Sequence, residues 1–156
     1  MWTTLAATLL GAFIATGSSL LIESRRDKRA AVAEWRQARR ELYGSFLTEL
    51  TKVRSELWTI SRDNQMADQE REVAARSLFA GCYEQRYQLE VFAPRSVVEP
   101  ALDYFRSMRR LRDAIGRGLR WEDAERPTHN DAVVQALHAT RDAMRLDMRT
   151  DAMRTE

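Results

Sequence analysis

The sequence of 156 residues is poor in the residues that cross-link, bend or catalyse, with one cysteine, two histidines, three prolines and six glycines. The single cysteine, Cys82, excludes an intramolecular disulfide, and its apolar helical surroundings predict a small core residue in a reducing compartment. Alternating β-branched runs and Asn-Gly hairpin turns are also missing, which argues against a β-sheet fold. The predicted fold class is therefore all-α.

Motifs that carry chemistry are missing as well. The sequence has no phosphate-binding loop, dinucleotide fingerprint or nucleophile elbow. His138 and Asp142 lie four residues apart, but zinc needs three or four protein ligands, and no Glu-x-x-His motif for a di-iron centre occurs. We therefore predict no catalytic residue, no metal site and no cofactor, and we do not expect an enzyme.

Charge is missing from the N-terminal segment, where no ionisable side chain occurs between Trp2 and Ile22. About 20 helical residues at ~1.5 Å each cover roughly 30 Å, the thickness of a bilayer's hydrocarbon core. We therefore predict a transmembrane anchor over residues 1–22. A cleavable signal peptide is the alternative. The small residues from Ala15 to Ser19 would allow cleavage, but the lack of a basic leader argues against it.

Basic residues follow this segment and none precedes it; they are Arg25, Arg26, Lys28, Arg29, Arg36, Arg39 and Arg40. The positive-inside rule then places the N-terminus outside and the C-terminal domain in the cytoplasm, with the anchor in the inner (plasma) membrane. Residues 23–40 are predicted to form a basic juxtamembrane stalk helix. Its lipid-facing cluster is Arg25, Arg26, Lys28 and Arg29, each worth up to about 1 kcal/mol of attraction to anionic lipid headgroups.

The predicted anchor carries small residues at four-residue spacing, namely Ala7, Gly11, Ala15 and Ser19. This spacing places them on one stripe, where a second helix can approach closely. The helix-packing stripe predicts a homo-oligomer that associates through the anchor.

Beyond the stalk, apolar residues recur every three or four positions and predict a cytoplasmic helical bundle over residues 41–150. The breaks between its helices are predicted at Asp63 to Gln65, at Pro94 and from Gly116 to Pro127. Short connections favour an up-and-down antiparallel bundle of three or four helices that continues from the transmembrane helix. The tail, residues 151–156, has too little apolar surface to order itself.

Local patterns give finer expectations for the later helices. Ser96 and Glu99 have the spacing of a capping box, and the segment from Thr128 to Asp131 is typical of a helix N-cap. The second helix is predicted to bury one face, made of Val73 or Ala74, Leu78, Cys82, Leu89 and Phe92.

Several short motifs resemble those of small single-pass bacterial membrane proteins of actinobacterial type, whose activity is uncharacterised. They are Trp35-Arg36, Glu41-Leu42-Tyr43, Phe46-Leu47, Ala93-Pro94 with Val97, Pro100-Ala101 and the stretch from Arg141 to Arg149. The resemblance covers nearly the whole chain. It implies an N-terminal span, a cytoplasmic all-helical domain and a bacterial origin, and it supplies no functional residue.

Arginine dominates the basic residues, because lysine occurs only at Lys28 and Lys52. Six arginines lie close together between residues 106 and 120, opposed there only by Asp113; they are Arg106, Arg109, Arg110, Arg112, Arg117 and Arg120. They predict a patch for an acidic protein partner. The alternative is a set of salt bridges to neighbouring helices. Nucleic acid is not favoured as a partner.

Together these patterns predict a non-enzymatic interaction or scaffold module that is tethered to the membrane and faces the cytoplasm. One alternative is a stalk-like subunit of a membrane complex, similar to the peripheral stalk of a rotary ATP synthase. Pro94, Pro100 and Pro127 argue against it, because a continuous helical strut does not tolerate such breaks. An enzyme with an unrecognised site is the other alternative.

Overall fold

The computed structural model describes the backbone of residues 2–153 and the side chains of residues 30–150. The chain divides into two compact units, Met1–Ala38 and Arg39–Glu156. The helices are α1 (Trp2–Arg62), α2 (Asp68–Leu78), α3 (Ala80–Phe92), α4 (Arg95–Gly116) and α5 (Arg126–Met153), and no strand occurs between residues 2 and 153. The all-α prediction is confirmed.

The predicted membrane anchor, residues 1–22, lies outside the residues whose side chains are described. Within the part of the chain that is described, no helix is long and apolar enough to cross a membrane. The helix-packing stripe Ala7, Gly11, Ala15 and Ser19 and the lipid-facing cluster Arg25, Arg26, Lys28 and Arg29 also lie outside the described side chains. These remain predictions.

The second unit is a bundle built around the apolar stripe of α1. Phe46, Leu50, Val53 and Leu57 recur at helical spacing on this stripe, and each is at most 2% exposed. The other helices bring the remaining core residues onto it, and the largest of these are Phe79, Leu89, Tyr104, Phe105, Met108, Leu111 and Ile115. The packing of α2 to α5 removes this stripe from water, and this burial stabilises the bundle.

Contacts between the helices give an up-and-down order. The Tyr43 hydroxyl of α1 donates to Asp147 of α5 at 2.7 Å, whereas the Ser61 hydroxyl donates to the Leu119 carbonyl just after α4 at 3.3 Å. The Thr140 hydroxyl of α5 donates to the Pro100 carbonyl of α4 at 2.9 Å. These pairings make α5 antiparallel to both α1 and α4, as expected for helices joined by short connections.

The second predicted helix is broken at Phe79. The Phe79 amide donates to the Arg76 carbonyl and the Cys82 amide donates to the Phe79 carbonyl, both at 3.2 Å, so the chain makes a tighter turn there. Gly81 follows and faces α1, where a Cβ placed on it would lie 3.2 Å from the side-chain oxygen Oε1 of Glu49. Of the two residues predicted for one end of the buried face, Ala74 packs against the core and Val73 does not, and the prediction is wrong at the other end, where Phe92 is 52% exposed.

The two predicted caps are wrong. The α4 helix begins at Arg95 after Pro94, whose carbonyl accepts the amides of Val97 and Val98, and no side-chain cap forms. Glu99 pairs instead with Arg95 at 2.7 Å. The α5 helix begins at Arg126, ahead of Thr128, because the fixed φ of a proline suits the first turn of a helix.

One arginine is completely buried where α1 ends. Arg71 of α2 has 0% exposure, and its Nη2 donates to the carbonyls of Asp63 at 2.9 Å and Met66 at 2.8 Å. Arg120 Nη1 donates to the same Asp63 carbonyl at 2.9 Å. A carbonyl at a helix C-terminus lacks an intrahelical partner and carries partial negative charge, so the two guanidinium groups at the Asp63 carbonyl stabilise this end of α1, and the bond to Met66 holds the loop that follows.

We predict that Arg71→Met lowers the free energy of unfolding by about 1–3 kcal/mol, since the Met66 carbonyl loses a charged donor while Asp63 keeps Arg120. Arg120→Met should cost less, about 1 kcal/mol, because Arg120 is partly exposed. The double variant should lower the free energy of unfolding by more than the sum of the two single changes, because the Asp63 carbonyl then loses both donors. Urea unfolding of the full chain measures all three, and additive or stabilising values would contradict the capping role.

Candidate interaction surfaces

The six predicted patch arginines divide into engaged and exposed groups. Arg112 is 14% exposed at its side chain, pairs with Asp113 at 2.6 Å and lies 4.9 Å from the centroid of the Phe79 ring. Burial lowers the pKa of Arg112, but hydrogen bonds to Asp113 and Tyr83 outweigh it, and the pKa stays above its usual value. Arg120 is held at the end of α1. These two arginines have structural contacts that a partner would have to break.

The exposed group lies on one face of α4. Arg106, Arg109 and Arg110 follow one another at helical spacing and are all exposed, and we call them the α4 arginine stripe. Arg106 pairs with Asp103 at 2.7 Å, and Arg110 donates to the Ser107 hydroxyl at 3.1 Å. Because such exposed pairs contribute little, these guanidinium groups are free to meet a second molecule. Arg117 is exposed just beyond the end of α4.

An arginine–tryptophan cluster that the sequence did not indicate closes the end of the bundle where α1 meets α4. The Trp121 ring has the Arg62 guanidinium 3.6 Å and the Arg126 guanidinium 4.3 Å from its centroid. The Trp58 ring meets it edge-on with the centroids 5.7 Å apart. Cation–π contacts of this kind stabilise a surface ring. The only sequence signal was a tryptophan in a predicted loop next to charged residues.

The cysteine is protected from reaction. Cys82 has 0% exposure. Burial, reinforced by the negative charge of Glu49 and only partly offset by Arg112, raises the pKa of the Cys82 thiol to about 12. A thiol reacts as the thiolate, and the Cys82 thiol stays protonated at neutral pH. Cys82 therefore serves as a packing residue of the core.

The histidines do not form a metal site in the described part of the chain. His129 lines a cavity of about 460 Å³ with Arg117, Asp123 and Glu125, and His138 is exposed on α5. No group of three or more histidine, cysteine, aspartate or glutamate side chains there could hold a metal ion.

A groove with a basic rim lies between α1 and α5, and sequence reasoning missed it. Its volume is about 390 Å³, and its apolar floor is formed mainly by Tyr43, Leu47, Met144 and Met148. Its rim carries Arg40, Arg141, Arg145 and Arg149. We call it the basic groove. Its signal in the sequence is the same helical spacing in two distant segments, residues 40–47 and 141–148, which only the folded chain brings together.

A second surface is apolar. Tyr87 and Val91 lie four residues apart on one side of α3, Phe92 ends the helix, and the three are 56%, 72% and 52% exposed, respectively. We call them the α3 apolar patch. Contiguous exposed apolar side chains on a folded domain commonly mark a contact surface.

No family model matches the chain, and comparison with curated proteins and with solved structures gives no match either. The resemblance to small single-pass bacterial membrane proteins therefore stays a prediction.

We predict that Arg112 and Arg109 differ in their effect on stability although they are three residues apart. Arg112→Ala should lower the free energy of unfolding by about 1–3 kcal/mol, because it removes a partly buried ion pair and a cation–π contact. Arg109→Ala should change it by less than about 0.5 kcal/mol, as is usual for an exposed side chain. Thermal melting of the full chain compares them, and equal losses would contradict the division of the patch.

Proposed function

We propose that this protein is a non-enzymatic helical interaction or scaffold module that is tethered to the inner membrane and faces the cytoplasm. The observation that carries the proposal is the α4 arginine stripe, a row of exposed guanidinium groups on a folded bundle. Positive surfaces of this kind attract acidic protein surfaces and guide their approach. The partner is therefore an acidic protein.

The tether rests on the sequence. Residues 1–22 contain no ionisable side chain and are long enough as a helix to cross a bilayer, and the first basic residues follow at Arg25 and Arg26. Anionic headgroups next to the stalk would add to the attachment. Small residues at Ala7, Gly11, Ala15 and Ser19 favour association of two anchors.

A scaffold agrees better with the bundle than a strut does. A peripheral stalk requires one extended helix, whereas Pro94 precedes α4 and Pro127 lies in the first turn of α5, where the chain reverses direction. The prediction of a break at Pro100 is wrong, because Pro100 lies inside α4 and does not break it. The buried, protonated thiol of Cys82 also disfavours a role as a nucleophile.

The orientation gives a prediction. In the Cys82→Ala background, Thr155→Cys should resist a membrane-impermeant maleimide in intact spheroplasts and react after lysis, because the C-terminal domain is cytoplasmic. A cysteine in a short polar extension added before Met1, in the same background, is the control and should react before lysis, because it would precede the anchor on the outer side. Labelling of Thr155→Cys in intact spheroplasts would contradict the predicted orientation. Recovery of the protein in the soluble fraction would contradict the predicted anchor.

The partner gives a further prediction. Arg109→Glu combined with Arg110→Glu should leave helicity and melting nearly unchanged, because both side chains are exposed. Quantitative co-purification at low salt should nevertheless lose the main partner by about tenfold or more, because like charges oppose the contact.

The matched control reverses the same number of charges elsewhere. Arg76→Glu with Arg95→Glu changes two exposed arginines that form ion pairs with Glu72 and Glu99 on their own helices. This control variant should still co-purify with the main partner in an unchanged amount. An identical set of co-purified proteins for both variants would mean that the α4 arginine stripe is only a solvated face, and the proposal would fail.

A further inference from the structure

The basic groove is formed by two helices that are held together by hydrogen bonds beside it. Tyr43 and Arg39 of α1 both bond to Asp147 of α5, at 2.7 and 3.1 Å. The open groove beside this contact has a positive rim: within the described residues, only Arg145 among its four arginines forms an ion pair, with Asp142 at 3.4 Å. An apolar floor under unneutralised guanidinium groups suits an occupant that is both apolar and acidic.

Gly44 shows that this wall of the groove is open. It lies in the interior of α1, is exposed, and no atom would lie within 4 Å of a Cβ placed on it. A glycine weakens a helix interior relative to alanine. Close packing within the chain does not require a glycine here, so the space that it leaves is available to a second molecule.

The same chain carries an apolar surface with an unpaired carboxylate on α3. Of the five carboxylates between residues 68 and 92, three form ion pairs with arginines, whereas Glu70 and Glu84 form none among the described residues. The α3 apolar patch lies beside Glu84, which is exposed. This surface therefore offers what the groove lacks, namely exposed aromatic and aliphatic side chains next to negative charge.

The two surfaces lie at the same height along the bundle. The α2–α3 segment runs antiparallel to α1, since Arg71 meets the end of α1 and Gly81 meets Glu49. Val91 lies ten residues beyond Gly81, about 15 Å at ~1.5 Å per residue, which brings it level with the start of the groove on α1. Two copies standing side by side and parallel can therefore join patch to groove without an axial shift.

We propose that the basic groove binds the α3 apolar patch of a second copy of this chain. Val91 and its aromatic neighbours fill the space beside Gly44, and Glu84 approaches the arginine rim. This inference rests on the proposed function, because the membrane tether is what holds neighbouring copies parallel to one another. Because the two surfaces are different, one copy of a joined pair keeps its patch free and the other keeps its groove free, and the contact builds a ring or a row.

The experiment uses two full-length copies with different tags, both carrying Cys82→Ala, expressed together. One copy has Gly44→Cys and the other has Val91→Cys, and a short bismaleimide is added to whole cells. The matched control replaces Val91→Cys by Val73→Cys, an exposed valine at the other end of the α2–α3 segment. All three sites are exposed, so the variants should fold, and melting curves verify this.

The Val91→Cys copy should form a cross-linked heterodimer, and the Val73→Cys copy should form about tenfold less or none. Arg145→Glu on the Gly44→Cys copy should reduce the yield about tenfold, and Glu84→Arg on the partner copy should restore it. Restoration requires that the two surfaces meet directly.

Equal yields for Val91→Cys and Val73→Cys, no effect of Arg145→Glu, or no restoration by Glu84→Arg would overturn the proposal. A Gly44→Cys copy that cross-links only to another protein, or to nothing because the groove holds an anionic lipid, would overturn it too. The cross-link yield is measured in whole cells, whereas attachment to the membrane is measured by cell fractionation. Failure of the tether and failure of this contact are therefore distinguishable.

Discussion

The apolar stripe of α1 is the constraint on which the second unit depends. A helix with Phe46, Leu50, Val53 and Leu57 on one face cannot leave them in water, and no single partner helix is wide enough to cover them. The α2–α3 segment, α4 and α5 cover the stripe together. The bundle leaves other surface open beside Gly44 and on the outer side of α3, and these are the two surfaces that we propose for association.

Helical spacing predicted the parts of the fold that depend on burial, and it failed where local geometry decides. The α1 stripe and the break after Arg62 follow from periodicity and from a polar segment, and both are confirmed. The break at Phe79 has no signal in the local pattern, because the apolar residues Leu78 and Cys82 continue at helical spacing across it. The cap at Ser96 failed because Pro94 provides a carbonyl acceptor one residue before the helix, and α4 begins earlier than the polar residue.

The surfaces were predictable to different degrees. A cluster of arginines is visible in the sequence, but its division depends on tertiary contacts: Arg112 lies against Phe79 and Arg120 reaches the end of α1, while Arg109 points to solvent. The basic groove combines residues about a hundred positions apart and has no linear signature. A high local density of arginine therefore indicates a charged surface, but it does not indicate which of its side chains are free to contact a partner.

The contact between Arg39 and Asp147 joins residues 108 positions apart in the sequence. During synthesis, the beginning of the bundle is therefore made long before the helix that closes it. Until α5 emerges, Tyr43 and Leu47 have no cover on this side, and the entropy lost in closing such a long loop slows the final docking step. The chain passes through a stage in which α1 to α4 are present and one apolar edge is open, the stage at which a neighbouring chain or a chaperone has access to that edge.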